Sequence, residues 1–137
     1  KNMENACTIY AEMHLIFDND FDVYSISQLL GIESSDCKMR KETNISPLTN
    51  KHTEGFWTLK TEEKKETDLK VVLNELMDKI ACQLPEIKNI CDENEGTVVF
   101  DIVPIFDSNN KPALYFEKDF LDVVHYLNAA IQIDMYE

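Results

Sequence analysis

Glycine is scarce in this 137-residue sequence: it has three, with four prolines and one tryptophan. Glycines at 31, 55 and 96 are too dispersed to build a Gly-rich phosphate cradle. Each is read instead as a turn or cap residue. The four cysteines, Cys7, Cys37, Cys82 and Cys91, form no C-x-x-C pair, and their spacing fits no zinc site. G-x-S-x-G and H-E-x-x-H are both missing. His14, His52 and His125 stand alone in the sequence, without the positioned nucleophile or carboxylate pair that a general base works with. These absences argue against an enzyme. The expectation is a non-enzymatic protein with no catalytic residue, no metal site and no cofactor.

No apolar run reaches the roughly 18 residues that cross a bilayer. Lys1-Asn2-Met3-Glu4-Asn5 has no apolar signal core behind it. A cytoplasmic protein with four reduced thiols is therefore expected. Length points to a single domain over residues 1–137.

Basic residues are also in short supply. Lys and Arg number 13 against 26 Asp and Glu, giving a net charge of −13. The imbalance sits at the two ends. Residues 1–37 hold seven acids and one lysine, and residues 92–137 hold ten acids and two lysines. Residues 38–91 are nearly neutral, with nine acids and ten bases. Such a field repels nucleic acid and anionic membranes and attracts basic proteins. The competing reading is acidity for solubility alone.

What is present is periodicity. Ile9, Ala11, Met13, Leu15 and Phe17 alternate with Thr8, Tyr10, Glu12 and His14, the pattern of a strand with one buried face. Asp18-Asn19-Asp20-Phe21-Asp22 follows as a polar turn. It begins like a calcium loop, but the sixth and twelfth positions are Val23 and Leu29, where Gly and Glu are required. Ser25 and Gln28 fit a capping box for a short helix through Leu29 and Leu30, closed by Gly31. A weak strand is expected within residues 32–41, and a polar loop over 42–54. Gly55 to Lys60 reads as a strand whose adjacent Phe56 and Trp57 face opposite ways. Thr67 is placed to cap a helix with the stripe Leu69, Val72, Leu73, Leu76, Met77 and Ile80, and Glu75 and Lys79 are spaced to pair on its wet side. Pro85 ends that run, and Ile87, Ile90 and Cys91 mark a further short helix closed by Gly96.

The last forty residues have the clearest pattern. Val98 to Val103 is a strand, with Pro104 marking an edge or a bulge. A turn follows at 107–112, then a strand at Ala113 to Phe116. Asp119 caps a helix with Phe120, Leu121, Val124 and Leu127 on its apolar side. In the final strand Ile131, Ile133 and Met135 face in, and Gln132, Asp134 and Tyr136 face out. The expected order is β-α-(β)-β-α-β-β-α-β. Short connections and half-polar strands make this an α+β fold, a largely antiparallel sheet with helices packed on one side.

Four stretches carry a resemblance: Tyr10-Ala11-Glu12, Leu29-Leu30-Gly31-Ile32-Glu33, Gly55-Phe56-Trp57-Thr58-Leu59 and Ile133-Asp134-Met135-Tyr136. Together they resemble the bacterial domain-of-unknown-function family numbered four-two-seven-nine. The likeness covers most of the chain, while Cys37-Lys38-Met39-Arg40-Lys41 lacks the Trp and Gly of the family pattern. The resemblance implies an α+β fold in a bacterial cytoplasmic protein, and it supplies no catalytic residues.

The functional expectation follows from charge. A small acidic protein without a catalytic constellation suits an immunity protein that neutralises a basic toxin such as a nuclease. Acidic surface speeds association with such a partner. The expected contacts are Asp18, Asp20 and Asp22 on one turn, with Asp101, Asp107, Glu117, Asp119, Asp122 and Asp134 near the end of the chain. The alternative is a stand-alone regulatory or small-ligand-binding domain.

Overall fold

The structure, a computed structural model, describes residues 7–49, 52–66, 68–107 and 109–137. Its centre is β1 (Thr8–Phe17). Side chains alternate along this strand without a break, with Ile9, Ala11, Met13, Leu15 and Phe17 wholly buried and every intervening residue half-buried. β1 pairs antiparallel with β3 (Gly55–Lys60), with the two-residue β4 (Lys64–Lys65) and with β5 (Gly96–Ile105). β2 (Asp36–Lys38) adds antiparallel to β3, and β6 (Ala130–Ile133) adds parallel to β5. The six-stranded sheet runs β2-β3-β1-β5-β6, with β4 paired to β1 off that path. The fold is α+β as expected.

Four helices cover one face of the sheet: α1 (Ser25–Leu30), α2 (Leu69–Ile80), α3 (Leu84–Asn94) and α4 (Lys118–Tyr126). In α2 the stripe of Leu69, Val72, Leu73, Leu76 and Ile80 is buried against the sheet. Burying each such side chain contributes about 1.5–3 kcal/mol. Phe120 of α4 meets Phe100 of β5 edge-on, ring centroids 5.2 Å apart. Trp57 is wholly buried, and its indole N–H donates to Ser27 Oγ at 2.9 Å, which ties β3 to α1. The opposite face of the sheet carries no helix among the described residues.

Several local expectations change. The capping box does not form: Tyr24 occupies the N-cap of α1, and the Ser25 hydroxyl donates back to the Asp22 carbonyl at 2.7 Å. The turn has already begun at Asp22, whose Oδ1 accepts from the Tyr24 N–H. Gly31 does cap α1 from the left-handed region, φ 69°. Thr67 lies outside the described residues. Asp68 stands at the N-cap of α2 and accepts from the Lys70 N–H. Glu75 pairs with Lys64 of β4 rather than with Lys79. Pro85 sits in the first turn of α3, where a missing N–H costs nothing, so it starts a helix as well as closing the preceding run.

Gly96 is not the left-handed residue after α3; Glu95 is, at φ 56°. Gly96 begins β5 beneath Phe17, where a Cβ would stand 2.4 Å from the ring. Ala113 to Phe116 makes a single bridge, Asp68 to Ala113, instead of a strand. Leu114 and Phe116 still pack on the core, so side-chain burial holds that segment without a ladder. Asp119 lies in the first turn of α4, and Glu117 is its N-cap. Leu121 is 44% exposed, whereas Phe120 and Leu127 are buried. Ile131 packs on the core, but Ile133 and Met135 are exposed because β6 is an edge strand.

Candidate functional site

Because alternate residues of a strand share a face, burying Ile9 through Phe17 turns Glu12, His14 and Ile16 to the helix-free side. Register then decides their neighbours. Glu12 stands between Lys60 of β3 and Asp101 of β5, and Asp101 in turn lies beside Gln132 of β6. In the next row His14 stands between Thr58 and Val99. Four strands thus lay two rows of mostly polar side chains across the middle of the open face.

His14 is held by one nitrogen and free at the other. Its Nδ1 lies 2.7 Å from Thr58 Oγ1, and Thr58 is itself buried. Its Nε2 lies 3.5 Å from Glu12 Oε1 and 3.9 Å from Asp101 Oδ2. Both separations are too long for hydrogen bonds.

Asp101 is the anomaly of this face. It is only 6% exposed, and its Oδ1 has no hydrogen-bond partner among the described residues. Its neighbours offer Oδ1 no donor. Glu12 and Asp134 are themselves carboxylates, and Asp134 already accepts from Gln132 Nε2 at 3.0 Å. Burial first, then a side-chain hydrogen bond and like charge from Asp134, push the Asp101 carboxyl up to about 6; His14 opposes the shift and Glu12 adds a little to it. Lys60 does not relieve Glu12. Its ammonium lies 3.0 Å from Glu63 and 4.2 Å above the centre of the Tyr10 ring.

Beside these residues opens a cleft of about 480 Å³. Ile16, Phe56 and Val99 give it an apolar floor, and Glu12, Asp36 and Glu54 supply carboxylates around it. Thr53 and Glu54, at the end of the polar loop, form one wall. Gly55 lets the backbone that follows β2 pass close to the start of β3: a Cβ there would stand 2.7 Å from the Arg40 backbone nitrogen. Phe56 is half-buried on the cleft side, as the opposed facing of Phe56 and Trp57 requires.

The acidic residues singled out from the sequence fall on separate surfaces. Asp18, Asp20 and Asp22 are exposed on the turn that leaves β1 beside Gly55 and Gly96. Asp20 is paired with Arg40 at 2.9 Å. Asp107 lies beyond the other end of β5, where its Oδ1 accepts from the Asn109 N–H. The ten residues of β1 separate these two turns, a span of roughly 30 Å. Glu117, Asp119 and Asp122 belong to α4 on the helical layer, with Glu117 paired to Lys70 and Asp122 to Lys118. Asp101 and Asp134 are brought together on the open face, and Asp101 is buried there rather than presented to solvent. Glu12, His14, Asp36, Glu54 and Thr58 were not among the expected contacts. Glu12-x-His14 on the polar side of an alternating strand was the available signal, but their cross-strand partners are not written in the local sequence.

A family model described as "Domain of unknown function (DUF4279)" matches residues 7–137. No curated protein and no solved structure matches the chain.

Proposed function

The chain belongs to that family, and from this premise we propose that it is a non-enzymatic interaction protein that binds a basic protein partner. The concrete case is an immunity protein that neutralises a basic toxin such as a nuclease. The observation that carries the reading is the unshielded sheet face. Glu12, Asp36 and Glu54 border a cleft there with no ion pair to a lysine or arginine among the described residues. An Arg or Lys from a partner, entering over Phe56, meets carboxylates on several sides and an aromatic face below. The net charge of −13 adds long-range attraction that speeds the encounter.

The test is a pull-down with the tagged chain from a strain carrying the intact locus, followed by association rates against the recovered protein at low and high salt. Retention of a basic protein whose toxicity the chain suppresses supports the proposal. Recovery of no basic protein, or an association rate indifferent to salt, defeats it. A second reading has one observation in its favour. A cleft of about 480 Å³ with an apolar floor lies within the range that holds small molecules. A small molecule co-purifying with the chain would move the reading to a ligand-binding regulatory domain.

A further inference from the structure

Glu12 and His14 are two residues apart on β1, so their side chains leave the same face of one strand. Asp101 reaches the same point from β5, directly opposite Glu12. One ligand atom from each of the three lies within 4.8 Å of the other two. We propose that Glu12, His14 and Asp101 form a binding site for one divalent transition-metal ion.

Three observations support it independently of the acidic composition. The first is Asp101, a carboxylate nine-tenths buried: its Oδ2 lies toward His14 Nε2 at 3.9 Å, and its Oδ1 has no donor among the described residues. A bare buried carboxylate is costly, and coordination to a cation is one of the ways such a group is accommodated. The second is the orientation of His14. With Nδ1 fixed on Thr58 Oγ1, Nε2 points at the two carboxylates. A hydrogen bond on the far nitrogen is the arrangement that orients a ligating histidine and sets its tautomer. The third is spacing. The 3.5 and 3.9 Å separations around His14 Nε2 exceed hydrogen-bond length. They come close to the roughly 3.3 Å between ligand atoms of a tetrahedral zinc site with bonds near 2.0–2.1 Å.

One imidazole and two carboxylates form a borderline donor set suited to Zn²⁺, Mn²⁺ or Fe²⁺. Three protein ligands leave a fourth position open, and Glu12 and His14 both line the cleft. The open position therefore faces a space large enough for an exogenous ligand.

The experiment uses the whole chain, stripped with chelator, and Zn²⁺ alone as the probe. Cys82→Ser serves as the background, so that the exposed thiol cannot hold the ion. Calorimetry should show one ion per chain, and X-ray absorption should show nitrogen and oxygen neighbours with no sulfur. His14→Ala and Asp101→Asn should each abolish that binding. Thr58→Val, which removes only the group behind His14, should weaken it by about tenfold. Asp18→Asn with Asp20→Asn should leave it unchanged. Far-ultraviolet dichroism establishes that each variant is folded. If His14→Ala does not fold, the imidazole resonances of His14 in the parent should still shift on Zn²⁺ addition. Absence of stoichiometric binding, sulfur in the coordination shell, or binding indifferent to Asp101→Asn overturns the proposal. The measurement needs no partner, so its failure leaves the interaction reading standing.

Discussion

Glu12 and Asp101 stand directly opposite each other on adjacent antiparallel strands, two carboxylates facing across the centre of the sheet. Like charges in that position destabilise a sheet by up to about 1 kcal/mol. Burial of the Asp101 Oδ1 without a donor adds a desolvation cost of about 1–3 kcal/mol. Asp101→Asn keeps the shape, removes the charge and supplies an N–H₂ donor to the neighbouring carboxylates. In chelator-treated protein near pH 7 it should raise the melting temperature by about 3–6 °C. A lower melting temperature would show that Asp101 is satisfied by something other than the groups around it. The expected gain also means that this site is not tuned for stability, which fits a face built for binding a cation or a cationic side chain.

The helical layer should answer to packing alone. Leu76 is wholly buried in α2, so Leu76→Ala should lose about 2–5 kcal/mol in denaturant unfolding. Leu121 on α4 is 44% exposed despite its place in the apolar pattern. Leu121→Ala should stay within about 0.5 kcal/mol of wild type. Equal losses at the two positions would overturn the assignment of which helical faces meet the sheet.

Gly96 is required by contact rather than by backbone conformation. A Cβ at that position would collide with the Phe17 ring. Gly96→Ala should therefore cost about 1–3 kcal/mol through overpacking. Adding Phe17→Leu to Gly96→Ala should recover part of the loss. A double variant that is no better than the sum of the two single changes would rule out this contact as the cause.

The four thiols differ in environment and should react in order. Cys82 is exposed, Cys7 and Cys91 are buried, and Cys37 is half-buried. Burial pushes the Cys37 and Cys91 thiols up to about 11 and also raises Cys7. A raised value means less thiolate at a given pH, and the thiolate is the species that reacts. At pH 8 iodoacetamide should label Cys82 first. Labelling of Cys37 should climb by about tenfold per pH unit between 8 and 10, since its thiolate is still scarce there. Mass analysis of quenched digests reads the order directly. Cys91 labelled as fast as Cys82 at pH 8 would place Cys91 at the surface.

The interaction reading distinguishes surfaces that the charge count alone does not. If a basic partner docks on the open face, Glu12→Gln with Glu54→Gln should slow association more than Asp119→Asn with Asp122→Asn on α4. Asp18→Asn, Asp20→Asn and Asp22→Asn together should act mainly through long-range attraction, so their effect should fade as salt is raised. Stopped-flow rates at two salt concentrations make the comparison, with melting temperature as the control. The largest effect coming from α4 would move the docking surface to the helical layer.

The central strand and the main helix were legible because each is ruled by its own period. Ile9 to Phe17 alternates at two and buries every second residue, and Leu69 to Ile80 repeats at helical spacing and buries one stripe. Those patterns, with short connections, also gave the α+β class. Local rules failed where two chemistries compete for one position. Ser25 donates to the turn before it instead of capping, and Ala113 to Phe116 satisfies its apolar side chains without joining a ladder.

The sequence by itself determined the composition, the net charge of −13, the facing of Glu12 and His14 away from the core, and the absence of a catalytic signature. Those are properties of composition and of single segments. Tertiary structure alone decided that Asp101, nearly ninety residues further on, lies opposite Glu12, that Thr58 fixes His14 from the other side, and that Asp101 is buried. The physical reason is register. Hydrogen bonding between strands chooses which distant residues become neighbours, and a shift of one residue would send each side chain to the opposite face.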